Sequence, residues 1–259
     1  MTASSSCRQS SASANQSSVR RHNQRLILSA IRRAGTLTKA DLAASTGLTA
    51  QSVTVIVREL EGAGLLVRGA AHKGRIGQPS IPLAINPEGA FSVGLKIGRR
   101  RSALALVDFG GRIHKSAELY HRLPTPQGIF DFVASQWSNM LAPLSSEQGV
   151  DLLGLGVAMP FELWQWAEQM GAHAEQVMAW KQVDIARELT TLTGCEVSVE
   201  NDATSACAAE FAFASTPRTA SFGYLYIGYF IGGGIVLNGT VFAGLAGNAG
   251  AFGSMPVRA

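Results

Sequence analysis

Three helical segments, two short strands flanking a basic glycine-rich loop, and then strands and helices in alternation predict an α/β chain in two parts. The first part reads as a winged helix-turn-helix and the second as an α/β layer domain. The length of 259 residues suits one or two domains. A hydrophobic fraction of 46% against 15% charged residues supplies a sizeable core. Charge divides the chain at the same place. Residues 1–86 hold 11 Lys/Arg against three acids (Asp41, Glu59, Glu61), a net of +8, and residues 87–259 hold 11 against 15, a net of −4. A basic leading third suits a polyanion-binding module joined to a sensor or an enzyme. A basic surface without a partner fits the same count.

Composition excludes several classes. No run approaches the ~18 uninterrupted apolar residues of a membrane span, so no membrane partner is expected. The Ser-rich N-terminus lacks an apolar h-region and is not a secretory signal. Cys7, Cys195 and Cys207 lie far apart with no CxxC spacing. That spacing gives no disulfide framework and no zinc knuckle, and it suits a reducing cytoplasm.

Residues 1–18 contain eight serines and few apolar groups, and are expected to form a disordered tail. The winged helix-turn-helix is placed at 19–86. Ile27, Ala30, Ile31 and Ala34 recur at helical spacing, and Gly35 ends that helix. Thr38 with Asp41 three residues on resembles a capping box. Gly47 fits the left-handed residue of a sharp inter-helix corner. Thr49 caps a third helix whose buried stripe is Val53, Ile56, Val57 and Leu60. Its outer face carries Ala50, Gln51, Ser52, Thr54 and Arg58, short polar groups and one cation able to approach bases and phosphates. An ordinary helical hairpin with a polar solvent face reads the same way. Strands at Leu65–Arg68 and Ile81–Ile85 then flank a basic loop with His72, Lys73, Arg75 and Gln78, which favours the winged reading.

The second domain is placed at 87–259, after the turn Asn86-Pro87-Glu88-Gly89. Phe91–Ile97, Ser102–Asp108 and Arg112–Leu119 are strand-like. Gln127–Leu141 reads as a helix, and Leu152–Ala158 as an apolar strand. Residues 161–180 resemble a helical segment plus loop. A helix at Asp184–Thr193 is ended by Gly194, and Glu196–Glu200 is a short strand. Asn201-Asp202 opens a helix at Ala203–Phe213, and Tyr224–Ile227 with Ile235–Leu237 forms a Gly-rich strand pair.

Three motifs give the chain a resemblance to transcriptional regulators of the ROK family (repressors, open reading frames and sugar kinases). The wing reads Gly74-Arg75-Ile76-Gly77-Gln78-Pro79, similar to the family's GRxGxP. Glu200-Asn201-Asp202-Ala203, with Ala206–Glu210 behind it, resembles the sugar-site motif. Ile231–Gly239 resembles the second glycine-rich phosphate turn. The resemblance implies an actin-like, ribonuclease-H-like domain of the sugar-kinase ATPase type behind the winged helix. It also implies a second lobe that continues past Ala259, so this lobe is expected to be incomplete and to expose apolar surface.

The departures from the family pattern point away from catalysis. Where the kinases carry a DxGGT phosphate turn, this chain reads Lys96-Ile97-Gly98-Arg99-Arg100-Arg101. A carboxylate has become a lysine, and arginine cannot imitate a glycine turn. The second turn reads Gly228-Tyr229-Phe230-Ile231-Gly232-Gly233-Gly234, with aromatics at positions of small residues. Gly98, Gly232, Gly233 and Gly234 are therefore relics of phosphate turns, and no cofactor and no metal are expected. The family's sugar-gripping Glu and His are replaced within Gly250-Ala251-Phe252-Gly253-Ser254. Asn201 and Asp202 remain as ligand-binding candidates, and Asp202 stands where the resemblance puts a catalytic base. A helix cap would use the same pair.

The expected function is a cytoplasmic DNA-binding regulator, a repressor of sugar-uptake or catabolic genes that reads a double-stranded operator as a homodimer. Thr38, Thr49, Ala50, Gln51, Ser52, Thr54, Arg58, Lys73, Arg75 and Gln78 are its expected DNA contacts. A sugar or sugar phosphate is its expected ligand. A sugar kinase with an appended reader and a ligand-blind dimerising DNA-binding protein are the alternatives.

Overall fold

The computed structural model describes residues 6–70, 81–144, 151–160, 162–166, 174–214, 221–228, 231–245 and 247–254. It divides into two compact units, Met1–Gly89 and Ala90–Ala259.

The first unit begins with helix α1 (Ser6–Ala34). Residues 6–18 are thus helical, where composition predicts disorder. No Gly or Pro interrupts Ser6–Ala34. Once Ile27 and Ile31 are anchored in the core, each added residue extends an existing helix without a new nucleation cost. Strand β1 (Thr36–Leu37), helices α2 (Lys39–Thr46) and α3 (Ala50–Gly62), and strands β2 (Leu66–Arg68) and β3 (Leu83–Ile85) follow. The strands form an antiparallel sheet in the order β1-β3-β2. Ile27, Ile31, Leu42, Val53, Val57, Leu66 and Leu83 fill the core between helices and sheet. The unit ends at Gly89, three residues past the expected boundary, because Asn86 is tied backwards. Its amide N–H donates to the Leu65 carbonyl at 3.0 Å and its Nδ2 to the Gly64 carbonyl at 2.7 Å.

The second unit is built on a five-stranded sheet in the order β6-β5-β4-β7-β8. The strands are β4 (Phe91–Ile97), β5 (Arg101–Asp108), β6 (Ile113–Tyr120), β7 (Leu152–Met159) and β8 (Val197–Asn201). β4, β5 and β6 pair antiparallel, while β4–β7 and β7–β8 are parallel. Helix α4 (Pro126–Leu141) packs Ile129, Phe132, Val133 and Met140 into the core. Short helix α5 (Ala174–Met178) and helix α6 (Ile185–Thr193) add Val177, Ile185 and Leu189. Each buried aliphatic side chain contributes about 1.5–3 kcal/mol. Trp180, in the turn that follows α5, donates its indole N–H to the Pro124 carbonyl at 2.8 Å.

Helix α7 (Asp202–Phe213) leads to a second antiparallel sheet of β9 (Phe222–Ile227), β10 (Ile231–Leu237) and β11 (Thr240–Phe242), in the order β11-β10-β9. The β10–β11 hairpin turns on Asn238 and Gly239, with φ of 50° and 75°. Both central residues at positive φ suit the twist of a two-residue hairpin. One face of this sheet leaves Leu225, Ile227, Ile231, Leu237 and Phe242 exposed. The glycines expected in a phosphate turn lie inside β10 instead. Gly232, Gly233 and Gly234 stand opposite Tyr226, Leu225 and Tyr224 of β9. They are small because neighbours crowd them. A Cβ on Gly234 would lie 2.3 Å from the Cβ of Cys207 on α7, and one on Gly233 would lie 2.4 Å from the ring of Phe252. Gly234→Ala should therefore lower stability by about 2 kcal/mol. Gly94→Ala, with nothing within 4 Å of the new methyl, should be neutral or gain about 0.5 kcal/mol. Urea unfolding midpoints of the two variants test both signs.

Candidate nucleic-acid interface and ligand cleft

The helix-turn-helix is held by its caps. The Thr38 hydroxyl accepts from the Asp41 amide at 3.2 Å and donates to the Asp41 carboxylate at 2.7 Å. The Thr38 amide completes a capping box at 3.1 Å from the same carboxylate. These bonds hold the Asp41 carboxyl below its ordinary range. Gly47 turns the corner at φ 71°. Thr49 accepts from the Ser52 amide at 3.1 Å, and the two hydroxyls lie 2.9 Å apart.

The expected contact residues fall into two groups. Thr38, Thr49 and Ser52 spend their hydroxyls on caps, and Thr54 donates to the Ala50 carbonyl at 2.8 Å. Ala50, Gln51, Thr54 and Arg58 form one exposed stripe along α3. Val55, 51% exposed on that stripe, escapes sequence reasoning. Its signal is a spacing of four from Gln51, and a branched methyl there suits apolar contact with a thymine methyl. Lys73, Arg75 and Gln78, with the whole wing 71–80, lie outside the described residues. Both acids of α3 are neutralised by arginines. Glu59 takes Arg20 (Nε at 3.0 Å) and Gln24 (3.1 Å) from α1, and Glu61 takes both nitrogens of Arg68 at 2.6 and 3.0 Å. The Arg68 hydrogen bond holds the Glu61 carboxyl below its usual range.

In the second unit a cleft of about 620 Å³ opens between the ends of β4 and β5, the start of α7 and strands β9 and β10. Asn201 and Asp202 both line it. Asn201 is the cap of α7, its Oδ1 accepting from the amides of Ala203 (3.0 Å) and Thr204 (3.1 Å). Among the described residues Asp202 is the only carboxylate in the lining. Burial raises its pKa, and the charge of Lys96 and the Ala203 amide pull the other way. Lys96 donates to the Tyr226 hydroxyl at 2.7 Å and lies 5.3 Å from that ring's centroid. Sequence reasoning flags Lys96 only as a lost carboxylate and misses Tyr226, because the two are joined only by the fold.

The residues present do not fit a magnesium–nucleotide. The Gly98 amide is spent on the Arg101 carbonyl at 3.1 Å, closing the β4–β5 hairpin. The backbone of Arg100 accepts from the His121 amide at 3.1 Å, and the Ser102 hydroxyl lies 2.9 Å from His121 Nε2. Burial holds the His121 imidazole below its ordinary pKa. Gly98 is thus a hairpin residue, and Gly232, Gly233 and Gly234 belong to a ladder. Tyr229 and Phe230 lie outside the described residues. No group of three or more His, Cys, Asp or Glu able to hold a metal occurs among the described residues. No described helix is long and apolar enough to cross a membrane.

The two units define a winged helix-turn-helix followed by an actin-like domain of the sugar-kinase fold. Residues 92–259 match the ROK family, and residues 20–76 match the MarR family. The chain belongs to the ROK family. An uncharacterised protein of Sinorhizobium fredii is 26% identical over 228 residues, covering 88% of this chain and 58% of that protein. The xylose repressor of Bacillus subtilis is 21% identical over 244 residues, covering 94% of this chain and 62% of the repressor. This chain spans about three-fifths of the length of these relatives. A solved ROK-family transcriptional regulator, described as a homologue of the E. coli MLC protein, superposes with a TM-score of 0.63 at 21% identity. It covers 92% of this chain and 59% of its own, a likeness of fold.

Asp202 carries a pH signature. Its folded pKa lies above the unfolded value, so between the two the native state binds more protons than the unfolded chain. Stability must then fall as pH rises through that window, and the loss persists above it. Asp202→Asn should remove this loss. Its melting temperature should exceed wild type at pH 7 and converge with it near pH 3.5, as scanning calorimetry would show.

Proposed function

We propose that this chain is a DNA-binding transcriptional regulator of the repressor type, whose ROK domain responds to a sugar and performs no phosphoryl transfer. The observation that carries this reading is the exposed stripe Ala50-Gln51-Thr54-Val55-Arg58 on a helix capped and cornered for a groove. Its neighbouring acids Glu59 and Glu61 are paired with Arg20 and Arg68. Polar and apolar groups at one end of α3 suit base edges, and the guanidinium of Arg58 suits a phosphate. The similarity to a protein named a xylose repressor supports the same class. The wing residues Lys73, Arg75 and Gln78 are assigned to the flanking backbone, and Thr38 and Thr49 to phosphates near the helix starts. Operator binding as a homodimer follows from the paired half-sites that such readers address.

The ligand reading rests on Asn201 and Asp202, which share a cleft. A sugar bound there would favour one of two arrangements of the assembly and so alter operator affinity. Absence of phosphoryl transfer is supported by Lys96 at the position of the metal-side carboxylate and by Gly98 closed into a hairpin.

Two measurements test this. On a duplex enriched from a random pool by the chain itself, Arg58→Ala should weaken binding about tenfold and reduce the salt slope by about one. Unchanged affinity and slope would remove Arg58 from the interface. In a coupled ATP assay with an aldose panel, wild type should give no turnover above the Asp202→Ala background. Turnover that vanishes in Asp202→Ala would establish a kinase instead.

A further inference from the structure

We propose that the cleft takes an anionic carbohydrate, its negative group held by Lys96 and Arg100 and its hydroxyls by Asn201 and Asp202. This rests on the sugar-responsive reading and names the ligand class of that site. Among the described residues the ionisable lining is lopsided, with Lys96, Arg99, Arg100 and Arg101 against the carboxylate of Asp202. Arg101 is countered by Glu118 at 3.1 Å. Lys96 has the Asp202 carboxylate as its opposite charge across the cleft, without a direct ion pair. Its hydrogen bond goes to the Tyr226 hydroxyl, and it forms no ion pair within 4.0 Å among the described residues. The hydrogen bond to Tyr226 fixes the position of the Lys96 side chain.

Arg100 is exposed at the same rim, and its backbone is fixed by the His121 amide. A planar guanidinium fork and a point-charge ammonium lining one cleft suit phosphate or carboxylate. A donor and an acceptor for hydroxyl groups line the same cleft. Asn201 has its Oδ1 committed to the α7 cap, so its Nδ2 is the group turned to ligand. Asp202 accepts. A volume of about 620 Å³ holds a monosaccharide with one charged substituent. A neutral sugar would engage Asn201 and Asp202 and add no negative group for Lys96 and Arg100, which outnumber that carboxylate. A nucleotide would need metal ligands that a single carboxylate does not supply.

The test is calorimetric titration of the chain with glucose, glucose 6-phosphate, gluconate and inorganic phosphate at low salt. Glucose 6-phosphate and gluconate separate a phosphate from a carboxylate as the charged group. At least one of them should bind about tenfold or more tightly than glucose and than inorganic phosphate. Lys96→Met and Arg100→Gln should each remove most of that advantage, with melting temperature confirming that the variants are folded. The proposal is overturned if glucose binds as tightly as both anionic sugars, or if neither anionic sugar binds. It is also overturned if inorganic phosphate alone matches them, or if the preference survives in the folded double variant. Release of the pool-selected duplex, followed in the same samples, separates the two readings. Release by glucose with no anionic preference overturns the ligand class alone, whereas duplex binding indifferent to all four probes overturns sugar response as well.

Discussion

Strand β4 is paired along its whole length, antiparallel to β5 and parallel to β7, and its two-residue period decides which side chains reach the core and which reach the cleft. Phe91, Val93, Leu95 and Ile97 are buried on one face. Lys96 stands on the other, at the strand's end, against Tyr226. A slip of one residue would put the ammonium in the core and Leu95 in the cleft. Burying an unpaired ammonium costs several kcal/mol, so the register that packs the sheet also holds the cation in the cleft. A family kinase has a carboxylate here, and the same pleat would present it at the same point. A single side chain can thus reverse the charge of the site while leaving the packing of the sheet alone.

The glycines of β10 show how a motif outlasts its chemistry. In a phosphate turn, glycine lets backbone N–H groups approach an anion. In this chain Gly232, Gly233 and Gly234 are paired in a strand. Gly232 faces Ala203 and Gly234 faces Cys207, both on α7, while Gly233 faces Phe252. Gly250 completes the contact, since a Cβ on it would lie 2.0 Å from the Gly233 carbonyl. Close packing of α7 on one face of β10 requires Gly232 and Gly234 to be small, and the contacts with Phe252 and Gly250 on the other require the same of Gly233, whether or not a nucleotide binds. Retention of a glycine-rich signature therefore carries no information about phosphate binding until the amides are located.

What was legible in the sequence is what local chemistry decides. Phe91–Ile97 alternates strictly enough to give β4 its limits, and the Thr38–Asp41 box, the Thr49 cap and the Gly47 corner follow from residue type and spacing. Strand β1 is two residues long and too short for any period to register. Strand β11 is different, because Asn238-Gly239 is a readable hairpin signal that is easily passed over beside three glycines. The helix over Ser6–Ser18 is invisible to composition, which counts apolar surface and not the low cost of extending an anchored helix. Arg20 enters the sequence reading as part of a basic face, yet the fold gives it to Glu59, and Arg68 likewise to Glu61. The cleft was legible only in halves. Asn201 and Asp202 announce one wall, but Lys96 and Tyr226 are 130 positions apart and meet only through the sheets.

Asp202 separates a structural role from a ligand-binding one. A cap is needed where α7 begins, and Asn201 supplies it through two amides. Asp202 sits one position further on, where burial opposes its ionisation. A helix start rewards a nearby carboxylate with up to about 1 kcal/mol at an exposed site. Here the raised pKa means that the helix end and Lys96 together do not offset the burial. An asparagine or serine at 202 would serve the helix without that penalty. The helix therefore does not require a carboxylate at this position, and the one that is there lines the cleft, where it can accept from a hydroxyl donor.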